Sequence, residues 1–123
     1  RFANATTPQG LYDTRARLLL SFMRSRWFPK YDPLEYQVDH LFSIKTGYLR
    51  HVPLEVMSNR NNLPLIPTYL TRAKGSRCSI SIFQLYETYK ASEAVSQYAR
   101  ALEQLDADQL RKLSEKYLRR QTT

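Results

Sequence analysis

Residues 52–85, VPLEVMSNRNNLPLIPTYLTRAKGSRCSISIFQL, place the tightest limits on the fold. Pro53 argues that an extended segment over 48–57 is an edge or carries a bulge. Residues 58–62 read as a polar turn, and residues 63–72 as a strand interrupted by Pro64 and Pro67. Residues 73–76 then form a hairpin-type connection in which Gly75 is free to take a positive φ. Over 77–85, Cys78, Ile80 and Ile82 alternate with Ser79 and Ser81, the pattern of a half-buried strand. The phase shift at Phe83 and Leu85 suggests a bulge. The expected fold is therefore α+β: a small antiparallel sheet of about three strands within 48–85, covered by the helices on either side.

Those helices are predicted over 11–27, 88–105 and 107–119. In the first, Tyr12, Ala16, Leu19, Met23 and Trp27 form one stripe, and Leu11, Leu18 and Phe22 a second. A helix apolar round most of its girth is buried on more than one side. A chain of 123 residues cannot easily supply two burying surfaces, so one stripe is expected to meet the sheet and the other a partner. In the second helix Ala91, Ala94, Val95, Tyr98, Ala101, Leu102 and Leu105 recur at threes and fours. Asp106 and Gln109 have capping-box spacing before the third, whose apolar side is Leu110, Leu113, Tyr117 and Leu118. Arg119 and Arg120 sit where the helix dipole favours cations. Residues 1–10 read as an extended arm, with Thr7-Pro8 as a helix start. Residues 28–47 read as a long irregular loop that Phe28, Tyr31, Tyr36, Leu41 and Phe42 staple to the body. A helical turn within 34–42 is one reading of that loop.

The length fits one domain spanning 1–123: arm, helix and loop to 47, a sheet–helix core over 48–105, and a C-terminal helix over 106–123. A single cysteine, Cys78, excludes an internal disulfide and suits a reducing compartment. No apolar run is long enough for a membrane span. The chain begins at Arg1 rather than Met, as a fragment or the product of a cleaved leader would.

The formal net charge is +8, and the excess lies in the first sixty residues and in 61–90. Arg outnumbers Lys, which favours phosphate forks, and a field of this sign favours polyanions. Arg72, Lys74 and Arg77 cluster round Gly75, with Arg60 in the preceding turn, and make the best candidate phosphate site. A solvated turn is the alternative. On the first helix Arg15 and Arg26 project together between the stripes, and Arg17 and Arg24 on the opposite side. Flanked by apolar groups, Arg15 and Arg26 either meet an anion or snorkel to water. Tyr69 and Tyr86 either stack on unpaired bases or pack.

Enzyme chemistry finds little here. One Cys and two His, His40 and His51, lack the paired short spacings of a zinc site. Asp39 and His40 form the one acid/base pair in view, and such pairs are common on solvated loops. Three glycines leave no phosphate-cradling loop. No metal, cofactor, catalytic residue or small-molecule substrate is expected.

The order of features over 52–105 resembles a known family. Asn62-Leu63-Pro64-Leu65-Ile66 leads to the turn Lys74-Gly75-Ser76-Arg77, then to Ile80-Ser81-Ile82, then to an amphipathic helix. This is similar to the mitochondrial large-subunit ribosomal protein 49 family, also called the integrity-of-mitochondrial-genome family. That family's core is a small α+β fold like a SUI-type initiation factor. Ile80 stands where the family has Thr, Phe83-Gln84 where it has Arg-Lys, and Glu87-Thr88 where it has Gly-Asp. The resemblance implies a non-catalytic structural constituent of the mitochondrial large ribosomal subunit. Such a constituent lies in the matrix and binds ribosomal RNA and neighbouring ribosomal proteins. The alternative of another class is an accessory subunit of an inner-membrane respiratory or ATP synthase complex.

Overall fold

The computed structural model describes residues 7–75 and 77–118, and its axis is the first helix, α1 (Pro8–Trp27). Thr7 caps it by accepting from the Gly10 amide at 3.0 Å, and Pro8 occupies the first helical position. The helix stops at Phe28, which precedes Pro29 and so disfavours helical backbone. After it come β1 (Tyr36–Val38), α2 (Ile44–Leu49), α3 (Leu54–Met57), a 3-10 turn (Arg60–Asn62) and β2 (Leu65–Pro67). The chain then continues through α4 (Thr68–Lys74), α5 (Ile82–Thr88), α6 (Glu93–Glu103) and α7 (Ala107–Tyr117). The arm expected before Thr7 and the cations Arg119 and Arg120 lie outside the described residues, as does Ser76.

The fold is α+β with a smaller sheet than expected. Among the described residues it has two antiparallel strands, with Gln37 opposite Ile66. Backbone bonds from Asp39 to Pro64 and from Leu41 to Asn62 extend the pairing beyond the strands proper. The partner of the Leu65 strand thus comes from the segment read as an irregular loop, and residues 48–57 are not extended.

Two local motifs explain the misread segments. After α2, the Val52 amide bonds the Gly47 carbonyl and the His51 amide the Tyr48 carbonyl, with His51 at φ 57°. That is a Schellman cap with histidine where glycine is usual, and it turns the chain into α3. In the 77–85 stretch, Ser81 accepts from the Gln84 amide at 3.1 Å, and Gln84 accepts from the Ser81 amide at 2.8 Å. This capping box starts α5, so Ile82, Leu85 and Tyr89 reach the core with helical spacing instead of strand alternation.

Both stripes of α1 are covered by the chain itself, which corrects the expectation of an outside partner. α1 packs on α2, α3, α6 and α7. Ala16, Leu18, Leu19 and Met23 are fully buried with Val95, Leu102, Leu110 and Leu118 in the larger core cluster. A smaller cluster of Phe42, Val52, Val56, Met57 and Leu85 joins it through Tyr12 and Ile44. Gly47 sits in mid-α2 because a Cβ there would lie 2.6 Å from Met57 Sδ and 3.0 Å from the Tyr12 hydroxyl oxygen. Of the predicted loop staples, Phe42 is buried, while Tyr36 stays largely exposed.

The two C-terminal helices follow the sequence closely. α7 begins with the expected box: Asp106 accepts from the Gln109 amide at 2.8 Å, and Gln109 accepts from the Asp106 amide at 3.0 Å. α6 is shorter than predicted, because Ser92 caps it by accepting from the Val95 amide at 3.4 Å. Its inner face is tied to α3 by Glu55, which accepts from Ser96 Oγ at 2.8 Å and Tyr89 Oη at 3.0 Å. Desolvation, then the Glu55 hydrogen bond and charge, hold the Tyr89 phenol above its ordinary range.

Arg15 closes the larger cluster. Its Nε donates to the Leu102 carbonyl at 3.1 Å and its Nη2 to the Leu105 carbonyl at 3.0 Å. A fixed cation satisfying last-turn carbonyls stabilises that helix end twice, by hydrogen bonds and by the dipole. Arg15→Ala is expected to cost about 2 kcal/mol, with Arg15→Lys recovering less than half because an ammonium lacks the fork. Urea denaturation of the three proteins checks this. Equal midpoints for wild type and the lysine variant would show that charge alone suffices.

Candidate nucleic-acid interface

The basic turn round Gly75 is the C-terminus of a helix and not a hairpin tip. Thr68 starts α4 directly after β2, and Gly75 closes it at φ 59° and ψ −131°, a conformation that side chains with a Cβ rarely adopt. The expected positive φ is present, in a different element. Arg77 folds back, donating through Nε to the Lys74 carbonyl at 3.1 Å and through Nη2 to the Ala73 carbonyl at 2.7 Å. Lys74 pairs with Asp39 at 3.7 Å and its side chain is only 11% exposed. Arg72 is exposed and has no hydrogen-bond or ion-pair partner among the described residues.

Arg60 is not part of this group. Its guanidinium lies 5.9 Å from the Trp27 ring centroid and 5.5 Å from that of Phe28, at the end of α1. Arg24 and Arg26 occupy the last turn of the same helix, without an ion-pair partner among the described residues. The structure therefore brings Arg24, Arg26 and Arg60 to one helix end and Arg72, Lys74 and Arg77 to another. Arg17 is spent on Asp13 at 2.9 Å, and Arg15 on α6.

Arg111 and Lys112 on α7 are neutralised locally. On α7, Arg111 pairs with Asp108 at 2.7 Å and Glu115 at 3.2 Å, and Lys112 with Asp108 at 3.5 Å. The Arg111 guanidinium, by hydrogen bond and charge together with Lys112, holds the Asp108 carboxyl below its ordinary range.

His40 and Cys78 are both fixed by structure. The His40 ring is buried, and its Nε2 has no partner among the described residues. Desolvation first, then the charges of Arg17 and Lys74, lowers its pKa to about 3, so it is neutral at physiological pH. Burial pushes the Cys78 thiol up. The Ser43 amide, the Thr46 and Ser43 hydroxyls and the charge of Lys74 outweigh it and leave the thiol below its ordinary range. No group of three or more His, Cys, Asp or Glu able to hold a metal occurs among the described residues.

One surface was not legible in the sequence. A cleft of about 450 Å³ lies between the strand ribbon and α4, lined by Leu34, Glu35, Tyr36, Thr68, Tyr69 and Arg72. Its signals were weak: Asp32 holds a tight turn by accepting from the Leu34 amide at 2.9 Å, and β1 is three residues long. Tyr69 does not pack: it is 71% exposed. Tyr86, its counterpart on α5, is also exposed. No family model, no curated protein and no solved structure matches this chain.

Proposed function

We propose that this chain is a non-catalytic, RNA-phosphate-binding constituent of a larger assembly. The sequence resemblance points to the mitochondrial large ribosomal subunit, with ribosomal RNA and neighbouring ribosomal proteins as partners. The observation that carries the reading is the distribution of unneutralised arginine. Arg24, Arg26 and Arg72 have no carboxylate partner among the described residues, whereas on α7 Arg111 and Lys112 are both paired within the helix. Unpaired guanidinium groups at two helix ends are the means by which a protein meets a polyanion. The support is chemical rather than topological, because within Ile80-Ser81-Ile82, which carried the strand part of the resemblance, Ser81 caps α5 and Ile82 begins it. No helix among the described residues is long and apolar enough to cross a membrane.

Sedimentation of the tagged protein from a mitochondrial lysate tests the proposal. The expected result is co-migration with the large ribosomal subunit, lost on RNase treatment. Charge reversal at Arg26 and Arg72 together should release most of the protein while leaving its fold unchanged, since both side chains are exposed and unpaired. Lys74 and Arg77 are poor probes because both are tied into the fold. Migration with an RNase-resistant membrane complex would replace this reading with that of an accessory respiratory or ATP synthase subunit.

A further inference from the structure

We infer that the cleft between the strand ribbon and α4 takes an unpaired nucleotide of single-stranded RNA. The inference rests on the RNA-binding reading and deepens it. Leu34 is 85%, Tyr69 71% and Tyr36 41% exposed round this one opening, an arrangement that hydrophobic burial would oppose in a chain without a partner. Exposed tyrosine rings offer flat faces to any base, and stacking is the usual means by which proteins hold unpaired nucleotides. Arg72, on the same wall, is a cation with no partner among the described residues, placed to meet the phosphate of the stacked nucleotide.

Glu35 gives the cleft polarity. A carboxylate repels phosphate and accepts from an exocyclic amino group, as carboxylates do with the amino group of cytosine. The backbone phosphate therefore belongs beside Arg72 and the base edge beside Glu35. Thr68 lines the same cleft, and its hydroxyl is buried without a hydrogen-bond partner among the described residues. A duplex cannot use the site, because its bases are already stacked and paired. A cleft of about 450 Å³ is within the range of small-ligand sites and suits one nucleoside.

The test is fluorescence anisotropy with labelled ten-nucleotide oligocytidine, labelled oligouridine and a labelled RNA duplex of the same length, using the full chain. The expected result is tighter binding of oligocytidine than of oligouridine. Tyr36→Ala combined with Tyr69→Ala should weaken oligocytidine binding about ten-fold or more and leave duplex binding unchanged. Tyr69→Phe combined with Tyr36→Phe should restore it, and Glu35→Gln should narrow the difference between cytidine and uridine. The alanine double variant is exposed at both positions, and its unfolding midpoint controls for folding. Unchanged oligocytidine affinity in that variant, with binding still abolished by charge reversal at Arg26 and Arg72, would overturn the stacking site and leave the RNA reading intact. Failure of every RNA probe to bind at low salt would overturn both and make the tyrosine surface a protein contact.

Discussion

Asn62→Leu is expected to cost about 3–5 kcal/mol, although the residue lies in a stretch that reads as a polar turn. Asn62 is fully buried. Its Oδ1 accepts from the Phe42 amide at 2.7 Å and its Nδ2 donates to the Met57 carbonyl at 2.7 Å. Its backbone carbonyl accepts from Leu41 at 2.9 Å. One residue thus fastens the segment after β1 to the end of α3. Leucine has the same side-chain heavy-atom count and branching but strands one buried donor and one buried acceptor, each costing about 1–3 kcal/mol. Asn61 supplies the control, being exposed and donating to the Thr88 carbonyl from the surface. Asn61→Ala should cost under about 1 kcal/mol. Urea denaturation at pH 7 measures both, and equal losses at the two positions would refute the assignment of Asn62 as the tie.

The second large effect is acid sensitivity through His40. The folded ring is pushed down to about 3, against an ordinary value near 6.5. Below pH 6.5 the unfolded chain binds a proton that the folded chain refuses. Stability is therefore fully present above that pH and falls as pH drops towards 3, with a slope approaching about 1.4 kcal/mol per pH unit. Across the whole interval the loss is on the order of 5 kcal/mol, comparable to the total stability of a small domain. His40→Leu removes the proton site without adding a charge, and should flatten the urea midpoint between pH 5 and 6.5. The comparison belongs in that window because most carboxylates stay ionised there. Parallel pH profiles for the two proteins would refute the assignment of the acid loss to His40.

The residues that sequence reading handled well are those whose chemistry is local. Thr7-Pro8 and Asp106 with Gln109 state their caps within four residues, and both caps are present. Ser81 and Gln84 state theirs with equal clarity, but Ile80 and Ile82 also alternate with serine, and the alternation masked the box. His51 hid a helix end because glycine or asparagine is the usual sign of one. Asn59 and Asn62 looked like a solvated turn because polarity was read without knowing which backbone groups would be buried beside them. Arg15 needed partners 87 and 90 residues away, a distance at which pattern carries no information. For the candidate interface, the cations were legible one by one. Their sorting into free and consumed groups depended on tertiary contacts, as did the cleft that Tyr36 and Tyr69 share.

The Arg15 clasp also has a temporal meaning. A chain made from its N-terminus presents α1 well before the helices that complete its larger core cluster. Until residues near 102–105 emerge, Leu18 and Leu19 have no α6 to pack on, and the guanidinium has no carbonyls to meet. Loop closure across so many residues is slow compared with forming a helix. α1 therefore stays partly uncovered until α6 and α7 have been made, an interval in which its apolar surface is open to aggregation.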